Sequence, residues 1–255
     1  MISKKQIKFI NSLKYNKYRL KYNCFIAEGE HVINDFINSG FIIESLFLSS
    51  SISNNTSLLD EDTLLLDLKF DTYIVPEKDF KKISCLKTPS GSLAVIKKPD
   101  RFFKDLDLFE QNQVILLDSI SDPGNMGTII RTADWYGFKN IYVSENCVDV
   151  YSPKVVQATM GSLSRVKVFR LSLEFLLKKL KNQNFLCYAT TLQGNNLYQI
   201  QEKNKCVLVF GNESHGVDKK LLSLIDKEIS IPKKNIYIDS LNVSVAFGII
   251  LSEFR

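Results

Sequence analysis

Three short segments of this chain hold polar residues at spacings that could do chemistry. The first, Asp118-Ser-Ile-Ser-Asp-Pro-Gly-Asn-Met-Gly127, runs into Thr128-Ile-Ile-Arg131. A Pro-Gly-Asn-x-Gly turn that opens a helix offers backbone N–H groups to an anion or a polar ligand. Arg131 follows Asn125 by 131 − 125 = 6 residues, close to two helical turns, so the helix is expected to carry it to the same edge. The second segment, Gly211-Asn-Glu-Ser-His-Gly216, follows the apolar run Val207 to Phe210. Its glycines have the spacing of a phosphate-binding loop, but Val217 stands where such a loop needs lysine. It also nearly matches the nucleophile elbow of α/β-hydrolases around Ser214. The only histidines are His31 and the adjacent His215, and that chain order excludes a standard triad. The third segment is Ile229-Ser-Ile-Pro232 followed by Ser240-Leu-Asn-Val-Ser-Val-Ala246. Ser240 reads as the N-cap of the last helix, with Asn242 as a polar group in its first turn. No G-x-G occurs in the chain. That excludes both a dinucleotide fingerprint and the glycine-rich loop of common methyltransferases.

The elements that must position these segments follow from hydrophobic patterning. From Gln113 onward, apolar strands alternate with helices, which predicts a parallel sheet covered by helices. Val114 to Leu117 and Val207 to Phe210 are continuous apolar runs, expected of strands buried on both faces. Strands at Ile141 to Val143, Val166 to Phe169 and Phe185 to Ala189, and helices near Met126 to Tyr136 and Leu173 to Leu180, complete the pattern. In such a sheet ligands bind at the carboxyl ends of the strands, where the first two segments lie. Val243 to Phe254 is apolar almost all round, so it is expected in a core or a subunit interface. Residues 24–96 read as a smaller α/β unit, with strands at Cys24 to Ala27, Ile42 to Leu48, Thr72 to Val75 and Leu93 to Ile96. It has a helix at Glu30 to Asn38, a second helix opened by Pro76, and a polar loop from Ser49 to Ser57. A polar linker, roughly Lys97 to Asn112, marks the domain boundary.

With 255 residues, 45% hydrophobic and 24% charged, the chain has the composition of an ordinary globular protein. The cysteines Cys24, Cys85, Cys147, Cys187 and Cys206 are scattered, without a C-x-x-C pair, which argues against a disulfide framework and a zinc site. No apolar run approaches a membrane span, and a reduced, cytoplasmic compartment is expected. The net charge of +5 is concentrated. Residues 1–23 hold Lys4, Lys5, Lys8, Lys14, Lys17, Arg19 and Lys21 and no acid, so the rest of the chain sums to 5 − 7 = −2. Tyr15, Tyr18 and Tyr22 interleave with these cations, a mix suited to phosphate contact and base stacking. The competing reading is an amphipathic helix with Ile7, Ile10 and Leu13 inward and wet lysines outward.

Taken together, the three segments resemble the three ordered signatures of the SpoU/TrmH family of RNA ribose 2′-O-methyltransferases, part of the SPOUT class. The matching stretches are Asp122 to Ala133, Phe210 to Gly216, and Ile231-Pro232 with Ser240 to Ala246, and the resemblance covers Gln113 to Arg255. The stretches Lys17-Tyr-Arg19, Phe25-Ile-Ala-Glu-Gly-Glu30 and Thr88-Pro-Ser-Gly91 are similar to the L30e-like substrate-binding domain common in that family. The chain departs from the pattern between Pro232 and Ser240, where Lys233-Lys-Asn-Ile-Tyr-Ile-Asp239 stands in place of the usual Met and Gly.

The resemblance implies an α/β protein with a C-terminal parallel sheet tied in a trefoil knot (residues 113–255). A smaller L30e-like RNA-binding domain (residues 1–98, basic arm 1–23) would precede it, joined by a linker at 99–112. It implies S-adenosyl-L-methionine as cofactor, with Gly211, Ile231 and Leu241 at backbone-contacting positions and Leu192 and Gly216 as neighbours. Asn125 and Arg131 match the catalytic positions, and Glu213 and Asn242 the polar partners. The implied substrate is structured RNA, ribosomal favoured over transfer RNA, and the implied assembly is a homodimer whose active site borrows from the second subunit, with no metal and no membrane. Since a guanidinium stays protonated in proteins, Arg131 is expected to clamp a phosphate and stabilise the developing alkoxide. The proton then leaves through phosphate, water or a partner such as Glu213. Two alternatives stand beside this: a non-catalytic RNA-binding assembly factor, against which Asn125 and Arg131 speak, and an RNA base methyltransferase, against which Ser-Leu-Asn-Val-Ser speaks.

Overall fold

The computed structural model describes residues 2–53, 56, 58, 70–100, 112–235 and 237–254. Most of the linker expected at 99–112, and part of the loop expected at Ser49 to Ser57, lie outside these residues. The chain forms two compact units. One comprises Met1–Asp100 with Asp149–Arg165, the other Arg101–Val148 with Val166–Arg255.

The first unit is built on a mixed sheet of β1 (Cys24–Glu28), β2 (Ile43–Ser49), β3 (Asp71–Val75) and β4 (Ser92–Lys97), in the order β1-β4-β2-β3. Only the β2–β3 pair is parallel. Period-2 alternation along β1 explains why all five of its residues are buried. Cys24 and Ile26 join Ile10, Leu13, Phe80 and Ile83 in one core, contributed by helices α1 (Lys4–Ser12) and α4 (Glu77–Ile83). On the other face Phe25 meets Phe36 of α3 (Glu30–Asn38) at 5.2 Å between ring centroids, and Tyr151 at 4.9 Å. Tyr151 belongs to the segment 149–165, whose helix α6 (Pro153–Ala158) packs on β1.

The N-terminal arm takes the amphipathic form. Ile10 and Leu13 are fully buried, while Lys4, Lys5, Lys8, Lys17 and Lys21 are exposed. Ser3 starts α1 with a capping box, its Oγ accepting from the Gln6 amide at 3.2 Å while Gln6 Oε1 accepts from the Ser3 amide at 2.8 Å. Helix α2 (Asn16–Tyr22) ends at Asn23, in the left-handed region at φ 51°. Arg19 is not among the exposed cations. It is 3% exposed, pairs with Asp149 Oδ2 at 2.7 Å, and donates to the Leu13 carbonyl at 2.9 Å.

The second unit is a six-stranded parallel sheet. Its strands are β5 (Gln113–Leu117), β6 (Asn140–Val143), β7 (Lys167–Arg170), β8 (Leu186–Asn196), β9 (Cys206–Phe210) and β10 (Lys227–Ser230), in the order β10-β8-β9-β5-β6-β7. Helix α7 (Leu173–Asn182) covers one face with Leu173, Leu176, Leu177 and Leu180 against Val114, Leu116, Val207 and Val209. Burial of each such side chain contributes about 2 kcal/mol. On the opposite face, Phe247 of α9 (Val243–Phe254) sits 4.7 Å from Phe210, and α9 packs against α5 (Pro123–Trp135). All five cysteines are free. Burial pushes the Cys187 and Cys206 thiols up to about 12, which leaves them inert core residues.

Strand β8 runs further than the Phe185 to Ala189 expected, and its pairing with β10 is broken. Glu228 pairs with Ala189, but Ile229 pairs with Asn195, so residues 190–194 form an excursion within the ladder. Gly194 ends that excursion against β10. A Cβ there would lie 2.5 Å from the Ile229 nitrogen, so only glycine allows this backbone crossing.

Candidate active site

The loops after β5, β9 and β10 leave the carboxyl ends of their strands in the second unit, and three of the expected residues meet through them in one hydrogen-bonded chain. Asn242 Nδ2 donates to Asn125 Oδ1 at 2.9 Å, and Asn125 Nδ2 donates to Glu213 Oε1 at 2.6 Å. The orientation of each amide is fixed by the one before it. Asn242 Oδ1 accepts from the Ser244 amide at 2.9 Å and from the Val245 amide at 3.4 Å, capping α9. Its nitrogen must therefore face Asn125, whose own nitrogen must then face Glu213, and an ionised carboxylate is the matching acceptor. This corrects the expected cap, since Asn242 and not Ser240 starts the last helix. The two alternatives, cap or site residue, are one and the same arrangement.

Asn125 is held by its own backbone as well. Asp122 is the N-cap of α5, its Oδ1 accepting from the Asn125 amide at 2.8 Å, and Pro123 takes the first helical position. Glu213 sits on a loop closed by reciprocal backbone bonds between Asn212 and Gly216, each 2.9 Å. Gly216 has φ +69°, and a Cβ on Gly211 would fall 2.2 Å from the Gly216 carbonyl carbon. The two glycines are thus required by a turn too tight for side chains.

Two residues not singled out in the sequence hold these loops together. Asn212 Nδ2 donates to the Ser119 carbonyl at 2.8 Å while its Oδ1 accepts from the Ser214 amide at 2.8 Å. Asp118, only 5% exposed, accepts from the Asp218 amide at 2.9 Å, tying the end of β5 to the far side of the β9 loop. The available signal was an Asp and an Asn placed directly at the ends of buried strands, where their side chains bond turn amides.

Arg131 stands apart from this chain. Six residues turn a helix by about 600°, so Arg131 points roughly 120° away from Asn125 rather than along the same edge. It lies with Gly124, Thr128 and Trp135 on the exposed face of α5. Leu192, Ile231 and Leu241 occupy the excursion in β8 and the two ends of the segment between β10 and α9. Leu192 is 70% exposed, Leu241 is also exposed, and Ile231 is half-buried. Exposed apolar side chains beside tight backbone turns, without a glycine-rich phosphate loop, suit a ligand that carries no phosphate, packs a flat ring on apolar side chains and is held by main-chain groups. S-adenosylmethionine has an adenine ring, a polar sulfonium and amino-acid tail and no phosphate, so the residues present fit it.

The chain is similar to known proteins in both of its parts. Residues 112–252 match the model of the SpoU rRNA Methylase family, and residues 4–94 match the MRM3-like substrate binding domain. The chain is 30% identical over 253 residues to the 23S rRNA (guanosine(2553)-2′-O)-methyltransferase RlmP of Bacillus subtilis, covering 98% of this chain and 96% of that protein. Among solved structures, an RNA methyltransferase of the TrmH family from Porphyromonas gingivalis, described as putative, superposes with a TM-score of 0.86 at 33% identity, covering 100% of this chain and 98% of the other. The AdoMet-bound rRNA methyltransferase from Sinorhizobium meliloti gives 0.84 at 28% identity, over 100% and 96% of the two chains. A family model that matches residues 112–252, more than half of the chain and including the sheet whose loops build the amide chain, means that this chain belongs to the SpoU rRNA methylase family.

Proposed function

We propose that the protein is an S-adenosylmethionine-dependent RNA ribose 2′-O-methyltransferase acting on ribosomal RNA. The observation that carries this reading is the directed chain from Asn242 through Asn125 to Glu213. Bound S-adenosylmethionine supplies an activated sulfonium methyl group. Alignment and removal of one hydroxyl proton are then what the protein must provide. Glu213 uses one oxygen on Asn125, which leaves its second oxygen for the ribose hydroxyl or a water beside it. Gly211, Gly216, Leu192, Ile231 and Leu241 hold the cofactor, and Arg131 clamps the phosphate next to the reacting ribose. The residues assigned to each role support ribose over base methylation. Transfer of labelled methyl from the cofactor to unmodified rRNA, followed by nuclease digestion, tests it: a methylated ribose is expected, and a methylated base or no transfer overturns it.

The first unit supports RNA binding. Lys4 and Lys5 occupy the first turn of α1, which has no acid. Cations at a helix N-terminus oppose the helix dipole by about 0.3–1 kcal/mol each. Their position disfavours the helix, so a gain elsewhere must retain them, and a polyanion supplies it. Replacing Lys4, Lys5 and Lys8 by alanine should reduce the slope of log K against log salt by about 2–3, because each phosphate contact contributes about 0.7–0.9. Single-turnover chemistry at saturating RNA should not change. An unchanged salt slope would remove the arm from the interface.

The same reading includes a homodimer. Trp135 on α5 is 85% exposed and Val245 on α9 is 51% exposed, and these two helices pack side by side. A tryptophan left in water on a helix pair is the mark of a covered surface. Arg131 shares the Trp135 face, so dimerisation would set it at the seam, where a site built from both subunits needs it. Trp135→Glu should convert a dimer to a monomer in sedimentation and lower methyl transfer with it. A dimeric variant with wild-type activity would exclude this surface. A cytoplasmic location is part of the reading, supported by five free thiols.

A further inference from the structure

The segment that departs from the family pattern, Lys233 to Asp239, carries the most exposed large hydrophobic side chain among the described residues. Tyr237 is 90% exposed. A tyrosine so fully in water gains nothing from packing, yet its backbone is held. The Tyr237 amide donates to Asn235 Oδ1 at 2.9 Å, and Lys233 Nζ donates to the Ile238 carbonyl at 3.4 Å, closing the loop at its base. Lys233 and Lys234 are both exposed, with Asp239 as the acid of the segment, so its net charge is +1. An apolar subunit seam disfavours two such lysines, whereas a strand of nucleic acid accepts them. The loop leads into Leu241 and Asn242, so the chain that carries Tyr237 continues within five residues to the group that orients Asn125.

We propose that Tyr237 is a stacking platform for an unpaired base next to the nucleotide being methylated, with Lys233 and Lys234 on the flanking phosphates. This rests on the RNA methyltransferase reading and adds to it a residue that selects substrate. A ribose can be presented to the amide chain only if its strand is locally unstacked, and a base displaced from its neighbours needs a π-face to replace them. A tyrosine ring standing clear of the protein offers that face to any base, and the lysines fix the direction of the strand across it.

The test compares wild type with Y237A, Y237F and the K233A/K234A pair, using unmodified rRNA transcripts and labelled S-adenosylmethionine. Stacking of this kind predicts a 5- to 150-fold loss of RNA affinity in Y237A, by about the amount that alanine substitution removes at base-stacking aromatics. Y237F should stay within about threefold of wild type because the ring is retained. The lysine pair should lower the salt slope by about 1.4, two phosphates at about 0.7 each. Cofactor affinity, measured by calorimetry, should be the same in all four proteins and also reports that each is folded. Unchanged RNA affinity in Y237A overturns the proposal, as does an equal loss in Y237F or a loss of cofactor affinity in Y237A. Absence of methyl transfer by the wild type would overturn the activity reading instead, while the RNA affinities would still decide the role of Tyr237.

Discussion

Arg131→Lys is expected to slow single-turnover methyl transfer about 10²- to 10³-fold at saturating RNA and cofactor, the range seen when one preorganised donor to a developing oxyanion is removed. Charge is kept by this substitution, so a loss of that size reports geometry. Guanidinium presents a planar fork that engages two phosphate oxygens at once, and an ammonium engages as a point charge. The structure makes the comparison clean. Arg131 is exposed on α5 and is not a member of the Asn242, Asn125 and Glu213 chain, so its replacement should leave those bonds intact. Two measurements separate a clamp from a base. A clamp predicts a reduced rate with the pH profile in its wild-type position, whereas a base predicts a profile displaced by the new side chain. Near-normal rates with an unchanged profile would remove Arg131 from the reaction.

The second large effect concerns stability. Asp149→Ala should destabilise the first unit by about 3–5 kcal/mol in chemical denaturation, because it leaves Arg19 buried without its carboxylate. Arg19 is 3% exposed, and both Nε and Nη2 reach Asp149 Oδ2, at 2.8 and 2.7 Å. Replacing Arg19 by methionine as well should recover part of that loss, since an apolar side chain of similar length has no charge to bury. If Asp149→Ala alone is neutral, the pair is an ordinary surface contact and the anchoring of segment 149–165 must rest on Tyr151 and α6.

That pair also shows where reading the sequence stops. Arg19 entered the sequence reading only as one of the arm's seven cations and as part of Lys17-Tyr-Arg19, because its partner lies 130 residues away and nothing local marks it as buried. The buried strands, by contrast, were legible: Val114 to Leu117 and Val207 to Phe210 are apolar without interruption because both faces are covered, and each is found as a strand. The loops that follow them could be placed for the same reason. The cap of α9 could not, since Ser and Asn cap helices about equally well and only the bonds from the Ser244 and Val245 amides to Asn242 Oδ1 decide for Asn242. The 190–194 excursion in β8 was invisible too. Nothing in Thr190-Thr-Leu-Gln-Gly194 marks a break in a strand ladder, and its register depends on β10, more than thirty residues on. The direction of Arg131 was open to arithmetic, because six residues are not a whole number of turns.

Because Asn242 both caps α9 and orients Asn125, the integrity of one helix end is transmitted to the groups proposed to act in the reaction as the direction of two amides. Fraying of that first turn releases Asn242 to rotate, and Asn125 can then offer Glu213 an oxygen in place of a nitrogen, so that two acceptors face each other. Activity is thereby tied to the most labile part of a helix, and warming would silence the protein while both of its sheets are still intact.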